Sequence, residues 1–208
     1  FVDKALAAGA AGAVVSEVRP EYEGLTAPIF VAADTLKAYQ DLARFHRRRF
    51  AIPVVAVTGS VGKTSTRNMI ATVLSEKYRV LQTEKNFNNE IGLPKTLLQL
   101  TPEHEACVVE MGMRGLGQIA ELAAIGEPTI GVITNVGKSH IELLGSQENI
   151  AKAKAELVQA LDEKGTAVLN GDDPFVRPMT ALCKGKTVLY GTDDQAAVRA
   201  DHIVCDQQ

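Results

Sequence analysis

The sequence predicts an α/β fold in which a mostly parallel sheet is flanked by helices and is preceded by part of a smaller α/β domain. Apolar runs alternate with helical stretches from Pro53 onward, which is the rhythm of β-α-β units. These runs are almost continuously apolar, which indicates strands buried on both faces, as in parallel sheets. The chain has 208 residues, 46% of them hydrophobic, so it can build a real core and is unlike a disordered, collagenous or disulfide-based protein.

Residues 1–51 are predicted to be an incomplete N-terminal domain. A helical pattern occupies the first residues, and the short apolar runs 13–15 and 28–32 are typical of strands. Asp34 is expected to cap a helix that continues into the basic run at residues 46–49. That run is either a phosphate-binding patch or a set of cations at the C-terminal end of a helix dipole, and its position favours the dipole.

Residues 52–208 are predicted to be a central domain that is incomplete at its C-terminus. The predicted strands are residues 54–57, 79–81, 106–109, 129–133, 166–169 and 187–190. Two helices between them, one from Lys63 and one over residues 146–161, are expected to face the core. Their core residues are predicted to be Ile70, Val73, Leu74, Ile150, Leu157 and Leu161. The polar residues 192–208 are expected to be irregular.

Composition and charge disfavour several functional classes. The net charge of −3 lacks the basic excess of a protein that neutralises nucleic-acid phosphates. No run approaches the roughly 20 apolar residues of a membrane span, and no secretory signal is present at the N-terminus. The three cysteines have no metal-binding spacing and are an odd number, which fits a reducing cytoplasm. Cys107 is expected to be a buried, unreactive thiol.

The strongest functional motif is a glycine-rich turn that follows the predicted strand 54–57 and precedes a helix. Its residues 58–65 read TGSVGKTS. Exposed N–H groups in such a turn and at the helix N-terminus bind phosphate oxygens. Lys63 is expected to reach the β- and γ-phosphates, and Thr64 to place its hydroxyl on magnesium. Only two residues separate Gly59 from Gly62, fewer than in the usual P-loop; a purely structural turn is the alternative.

Further candidate residues follow other predicted strands, where ligands gather in open α/β sheets. Glu110 ends the strand 106–109 and is either a magnesium ligand or a salt-bridged core residue. His140 follows the strand 129–133. An isolated histidine in a loop is usually a surface or capping residue, so this residue by itself does not indicate a metal ligand. Lys152 and Lys154 lie in a predicted helix, where a solvated face is the default interpretation.

A polar loop over residues 85–94 is the last candidate. Its three asparagines and its Gly-x-Pro sequence favour a turn whatever its function. Side-chain amides at Asn88 and Asn89 are also able to bind an adenine edge or a substrate, and the residues alone leave both interpretations open.

Together these motifs resemble the Mur ligases, the ATP-dependent amide-bond-forming enzymes of peptidoglycan precursor synthesis. The shortened P-loop is typical of that family, and the resemblance covers essentially the whole chain. Residues 86–94, 109–112, 133–140 and 144–156 resemble more narrowly the member that adds D-alanyl-D-alanine to UDP-MurNAc-tripeptide. The fold implied is a Mur ligase central domain that contains the P-loop.

The resemblance implies a role for each candidate residue. The expected ATP-binding residues are Gly59, Ser60, Val61, Gly62, Lys63, Thr64, Ser65, Asn88 and Asn89. The expected ligands of two Mg²⁺ ions are Thr64, Glu110, His140 and Lys154. Lys154 matches a lysine that in several Mur ligases is carbamylated by carbon dioxide and so becomes an anion. Lys63, His140 and Lys154 are therefore the expected catalytic residues.

The resemblance further implies a cytoplasmic, monomeric enzyme that forms an acyl phosphate from ATP and has small-molecule substrates, with no nucleic-acid partner. The family's uridine-nucleotide-binding loop would precede Phe1 and its C-terminal domain would follow Gln208, so the fragment is expected to be inactive alone. Lys85 stands where the family often has glycine, and Lys138 where glutamate is common. The alternatives are a folate-polyglutamating or cyanophycin-type ligase, a P-loop kinase or GTPase, and a nucleotide-binding module without catalysis.

Overall fold

The computed structural model describes residues 1–139 and 141–204. The chain divides into two compact units, residues 1–42 and 43–208. The division falls inside the helix Thr35–Arg47, nine residues before the boundary after residue 51 that the sequence predicts. None of the described helices combines the length and the apolar character that crossing a bilayer requires.

The first unit contains a short two-stranded parallel sheet. Its elements are α1 (Val2–Ala7), β1 (Ala13–Val15), a 3₁₀ turn (Pro20–Tyr22), β2 (Ile29–Val31) and the first part of α2 (Thr35–Arg47). Ala13 is paired with Ile29. The Asp34 carboxylate accepts a hydrogen bond from the Lys37 N–H at 2.9 Å, which confirms the predicted helix cap.

The second unit is a seven-stranded sheet with helices packed against it. Its strands are β3 (Val54–Thr58), β4 (Val80–Gln82), β5 (Ala106–Glu110), β6 (Ile130–Ile133), β7 (Thr166–Asn170), β8 (Lys186–Gly191) and β9 (Val198–Arg199). Its helices, after the end of α2, are α3 (Lys63–Ser75), α4 (Gly92–Leu97), α5 (Gln118–Gly126), α6 (Ile141–Leu144), α7 (Gln147–Ala160) and a 3₁₀ helix (Arg177–Leu182).

The strand order is β4-β5-β3-β6-β7-β8-β9, and every pairing within the described residues is parallel. This confirms the predicted fold class. β3 and β5 are buried at every position, as expected for strands covered on both faces. The chain leaves β3 to one side for β4 and β5 and returns to its other side for β6. The carboxyl end of β3 is therefore a switch point, where α/β sheets bind ligands.

Helix packing confirms the predicted core face of one helix and corrects one residue in that of the other. Leu157 and Leu161 of the α7 segment are fully buried, and a Cβ on Gly131 of β6 would lie 3.1 Å from Leu157 Cγ, so the glycine allows helix and strand to approach closely. In α3, Ile70 and Leu74 are partly buried and pack against the core as predicted, whereas Val73 is 71% exposed and its predicted place in the core is wrong. Ala71 is buried instead, and the other buried residue of this helix is the charged Arg67.

Two further predictions concern the thiol of Cys107 and the segment after Thr192. Cys107 is fully buried, and burial raises the pKa of its thiol to about 12, which confirms an unreactive side chain. The segment after Thr192 is less irregular than predicted, because Tyr190 and Gly191 of β8 pair with Val198 and Arg199 of β9. Residues 205–208, which include Cys205, lie outside the described part of the chain.

The basic run at the end of α2 has a structural role that neither interpretation anticipated. Arg47 is 7% exposed. Its guanidinium donates hydrogen bonds to the carbonyl oxygens of Gly126 at 3.1 Å and Phe50 at 2.7 Å, with longer contacts to Ile52 and Glu127. These carbonyls belong to the end of α5 and to the segment that enters β3. Arg47 therefore satisfies backbone acceptors that burial would otherwise leave unpaired.

Glu127 strengthens the same contact by charge. Its carboxylate accepts hydrogen bonds from Arg44 at 2.9 Å and from Arg48 at 2.5 Å. The hydrogen bond from Arg48 is the main reason that the pKa of Glu127 lies below its ordinary value. Arg44, Arg47 and Arg48 thus hold the end of α2 against the end of α5.

Replacing Arg47 by methionine is expected to lower the free energy of unfolding by about 2–4 kcal/mol, because several buried carbonyl oxygens lose their donor. Urea unfolding measures the effect. Arg49→Met is the matched control, since Arg49 is exposed and should change stability by less than about 0.5 kcal/mol. Equal stability of the two variants would contradict the role assigned to Arg47.

Candidate active site

The glycine-rich turn connects β3 to α3 and faces a cavity of about 600 Å³. A Cβ on Gly59 would lie 1.9 Å from Thr134 Oγ1, so only glycine allows the turn to pass this side chain. Gly62 has φ +79° and is the N-cap of α3, a left-handed conformation that favours glycine. The first N–H groups of α3 have no partner within the helix and form an anion-binding end.

Lys63 is the first residue of α3, and its ammonium folds back over the turn. Nζ donates to the carbonyl oxygen of Gly59 at 2.9 Å and lies 3.4 Å from that of Ser60. The charge is therefore held beside the N–H groups of the turn. This arrangement suits an anionic ligand that spans the turn and the helix N-terminus.

The segment after β6 braces the turn, a role that the sequence analysis missed. The Asn135 side chain accepts a hydrogen bond from the Val61 N–H and donates one to the Val61 carbonyl oxygen, each at 3.0 Å. Thr134 Oγ1 donates to the same carbonyl at 2.7 Å. The Gly137 N–H donates to Ser60 Oγ at 2.8 Å. The C-terminal ends of neighbouring parallel strands lie side by side, and this adjacency is the feature from which the contact could have been predicted.

Glu110 ends β5, and its side chain is 3% exposed. One carboxylate oxygen, Oε2, accepts a hydrogen bond from the Thr64 hydroxyl at 2.8 Å. The other, Oε1, accepts one from Asn88 Nδ2 at 2.8 Å. Arg67 lies 3.5 Å from Oε2. The structure thus brings together three residues that the sequence singled out. It also places beside them a buried arginine that the sequence did not single out.

The loop before α4 has a structural and a candidate binding side. Asn89 Oδ1 accepts the N–H groups of Ile91 at 3.3 Å and Gly92 at 2.9 Å, so its side chain builds the turn. Asn88 and Asn89 both line the cavity. Lys85 has φ +49°, a left-handed conformation that suits the glycine which the family often has there. Nucleotide contacts of the two asparagines remain a prediction.

Lys154 lies on α7 and is 3% exposed, so the solvated-face interpretation is wrong for this residue, whereas Lys152 is exposed. Lys154 and Lys63 both line the cavity. Burial, and then the charge of Lys63, lower the pKa of Lys154 to about 7. The site therefore contains a lysine that is partly neutral near physiological pH.

His140 lies outside the described residues. Within residues 1–139 and 141–204, no group of three or more His, Cys, Asp or Glu is arranged to hold a metal ion. The oxygen donors of Glu110 and Thr64 nevertheless fit Mg²⁺, which prefers few protein ligands together with phosphate oxygens. A lysine amine is not such a donor, so Lys154 fits a magnesium site only as a carbamate.

Glu156, two residues after Lys154, fixes another wall of the cavity. Its carboxylate accepts the N–H groups of Gly117 at 2.6 Å and Ala120 at 3.0 Å, at the N-terminus of α5. A carboxylate is favourable at this end of the helix dipole. α7 thereby orients α5, which contributes Gln118 and Leu122 to the cavity.

Lys154→Met is expected to stabilise the fold, and more so at pH 6 than at pH 9. The folded-state pKa is about 7 and the unfolded value about 10.5, so the folded chain carries the full cost of a buried cation below pH 7. Because the unfolded chain binds more protons between these values, wild-type stability rises with pH across that interval. The gain of the variant should fall by on the order of 2 kcal/mol between the two pH values.

Urea unfolding in buffer free of carbon dioxide measures this difference. Lys152→Met is the matched control, because it removes an exposed ammonium from the same helix. A gain for Lys154→Met that does not vary with pH would contradict the assigned environment of Lys154.

Comparison with known proteins places this site in a family. Residues 57–208 match the Mur ligase middle domain family. The UDP-N-acetylmuramoyl-tripeptide--D-alanyl-D-alanine ligase of Synechocystis sp. is 49% identical over 210 residues, which cover 99% of this chain and 46% of that protein. The chain thus spans less than half the length of this relative.

Solved structures of Mur ligases are also similar to this chain. MurF from Acinetobacter baumannii superposes with a TM-score of 0.88 and 30% identity over 98% of this chain and 44% of its own. MurF ligase from Thermotoga maritima, solved in complex with ADP, has a TM-score of 0.83 and 32% identity over 93% of this chain and 44% of its own. Because the family match covers most of its length, the chain belongs to the Mur ligase middle domain family.

Proposed function

We propose that the protein containing this chain is a cytoplasmic, ATP-dependent ligase that joins D-alanyl-D-alanine to UDP-MurNAc-tripeptide. The observation that carries the proposal is a single cavity lined by the phosphate-binding turn, Lys63 and Lys154, with the Glu110–Thr64 hydrogen bond beside it. The name of the similar Synechocystis ligase supports the choice of substrates. We propose that the 208 residues by themselves form a nucleotide-binding module, and that catalysis requires the rest of the protein.

The reaction begins when a carboxylate oxygen of the tripeptide attacks the γ-phosphorus of ATP. A P–O bond forms, the bond to the β-phosphate oxygen breaks, and ADP leaves. The amine of D-alanyl-D-alanine then attacks the acyl phosphate carbon. The C–N bond forms, the C–O bond breaks, and phosphate and a proton are released.

Charge neutralisation is the main task of the protein in the first step, because a carboxylate and a triphosphate repel each other. Lys63 and the N–H groups at the start of α3 supply positive potential where the phosphates would lie. Thr64 and Glu110 would hold Mg²⁺, which when bound withdraws charge from phosphate oxygens. Asn88 would hold the Glu110 carboxylate in position.

After carbamylation, Lys154 would serve as a ligand of a second Mg²⁺ ion. The ammonium would first lose a proton, and the neutral amine would then attack carbon dioxide: a C–N bond forms, one C–O π bond breaks, and the nitrogen loses a second proton. The two losses together convert a cation into an anion. Burial beside Lys63 supports this role, because both lower the pKa of the amine and Lys63 would then face an opposite charge. The second ion and His140 as a ligand belong to the same proposal.

Carbamylation is testable with ¹³C-bicarbonate at about pH 8, where Lys154 is largely neutral. We expect one slowly exchanging carbamate ¹³C resonance in the wild-type chain, absent in Lys154→Met and retained in Lys152→Met. A resonance of equal intensity in the Lys154→Met variant would place the carbamate elsewhere.

Lys63→Ala in the full-length protein is expected to lower the rate of ADP formation by at least about 100-fold, because the transferring phosphoryl group loses its main cation. The assay follows ADP with UDP-MurNAc-tripeptide, with and without D-alanyl-D-alanine. Lys152→Ala is the matched control and should retain wild-type turnover.

Phosphate release that does not require the amine would favour a kinase or GTPase, and turnover with folate or cyanophycin-type substrates would favour another ligase of the superfamily. Normal turnover of Lys63→Ala would contradict the assignment of the turn.

A further inference from the structure

Arg67 is a buried cation in the site that the proposed mechanism does not use. It lies on α3 three residues after Thr64 and four after Lys63, a spacing that places all three on one face of the helix. Its side chain is 5% exposed, and that of Glu110 is 3% exposed. A cation at this depth is costly unless its surroundings compensate it.

The guanidinium of Arg67 contacts three groups on three segments. Nη1 donates to the carbonyl oxygen of Lys85 at 3.0 Å and lies 3.5 Å from Glu110 Oε2. Nε and Nη2 donate to Asn68 Oδ1 at 3.2 and 2.7 Å. The stronger hydrogen bonds thus go to neutral oxygens, and the carboxylate receives mainly the charge.

This division leaves Glu110 able to bind a metal ion. An ionised carboxylate has about four lone-pair positions, and Thr64 and Asn88 use one on each oxygen. A short bidentate bridge to an arginine would occupy both oxygens. At 3.5 Å, Arg67 instead places a positive charge beside the carboxylate without closing its remaining positions.

The contact with Lys85 extends the effect to the neighbouring loop. Lys85 holds a left-handed backbone, and three residues later Asn88 donates to the other oxygen of Glu110. Arg67 therefore reaches both oxygens of one carboxylate, directly at Oε2 and through the loop at Oε1.

We propose that Arg67 is a positioning residue that holds Glu110 and the Asn88 loop in the arrangement that binds Mg²⁺ with the nucleotide. The inference rests on the proposed nucleotide-binding function. It assigns Arg67 to the Mg²⁺-dependent part of nucleotide affinity, whereas Lys63 and the turn govern the part that persists without metal.

The test is calorimetric titration of the 208-residue chain with a non-hydrolysable ATP analogue, in Mg²⁺ and in EDTA. Arg67→Gln removes the charge but keeps a donor for the Lys85 carbonyl. Arg67→Lys keeps the charge. Arg79→Gln is the matched control, because Arg79 is 68% exposed in its side chain and pairs with Glu103 on the surface. Thermal unfolding of each variant reports stability separately.

For Arg67→Gln we expect the affinity in Mg²⁺ to fall by about 10- to 100-fold, the range typical of residues that orient a metal ligand. Affinity in EDTA should change by less than about threefold, and Arg67→Lys should recover most of the loss. In a Glu110→Gln background, Arg67→Gln should have little further effect on the response to Mg²⁺, because the two residues act together.

An unchanged response to Mg²⁺ in Arg67→Gln would overturn the inference, as would equal losses in Mg²⁺ and EDTA, which indicate a scaffold role only. If Arg67→Gln does not fold, Arg67→Lys decides: a retained Mg²⁺ response supports the inference, and a lost response contradicts it. Absence of nucleotide binding in the wild-type chain would refute the nucleotide function, and the inference with it.

Discussion

The Glu110 carboxylate is the group around which the site is organised. A charge buried at the end of a central strand is tolerated only when hydrogen bonds and countercharge replace water. Thr64 and Arg67 of α3 supply two of these contacts, and Asn88 of the loop before α4 supplies the third. Satisfying one carboxylate therefore fixes the start of α3 and the loop before α4 relative to β5.

A second electrostatic constraint lies in the cavity, which Lys63 and Lys154 both line. Like charges in a poorly solvated site disfavour each other, which is why Lys63 contributes to the lowered pKa of Lys154. An anionic ligand between them, or conversion of one of them to an anion, would relieve the repulsion. The sheet topology accounts for the location, since both constraints act near the carboxyl end of β3, where the chain changes direction across the sheet.

Much of this site was predictable because its motifs are local. The strand, the turn with Gly59 and Gly62, and the helix beginning at Lys63 are contiguous, and their phosphate-binding geometry follows from backbone conformation. Glu110 was identifiable because a carboxylate is unusual at the end of an apolar strand. Arg67 and Glu156 gave no such signal, because a charged residue in a helix is ordinarily solvated and only its long-range partners reveal another role.

The sequence by itself determined the parallel α/β architecture and the phosphate-binding turn, because hydrophobic periodicity and glycine conformations are properties of adjacent residues. The tertiary structure alone decided which charges are buried. Helical periodicity did not distinguish Val73, which is exposed, from the buried Arg67, and it left the solvated interpretation open for Lys154. Burial of a side chain depends on which elements pack against it, and that is settled by strand order and helix placement across the whole sheet.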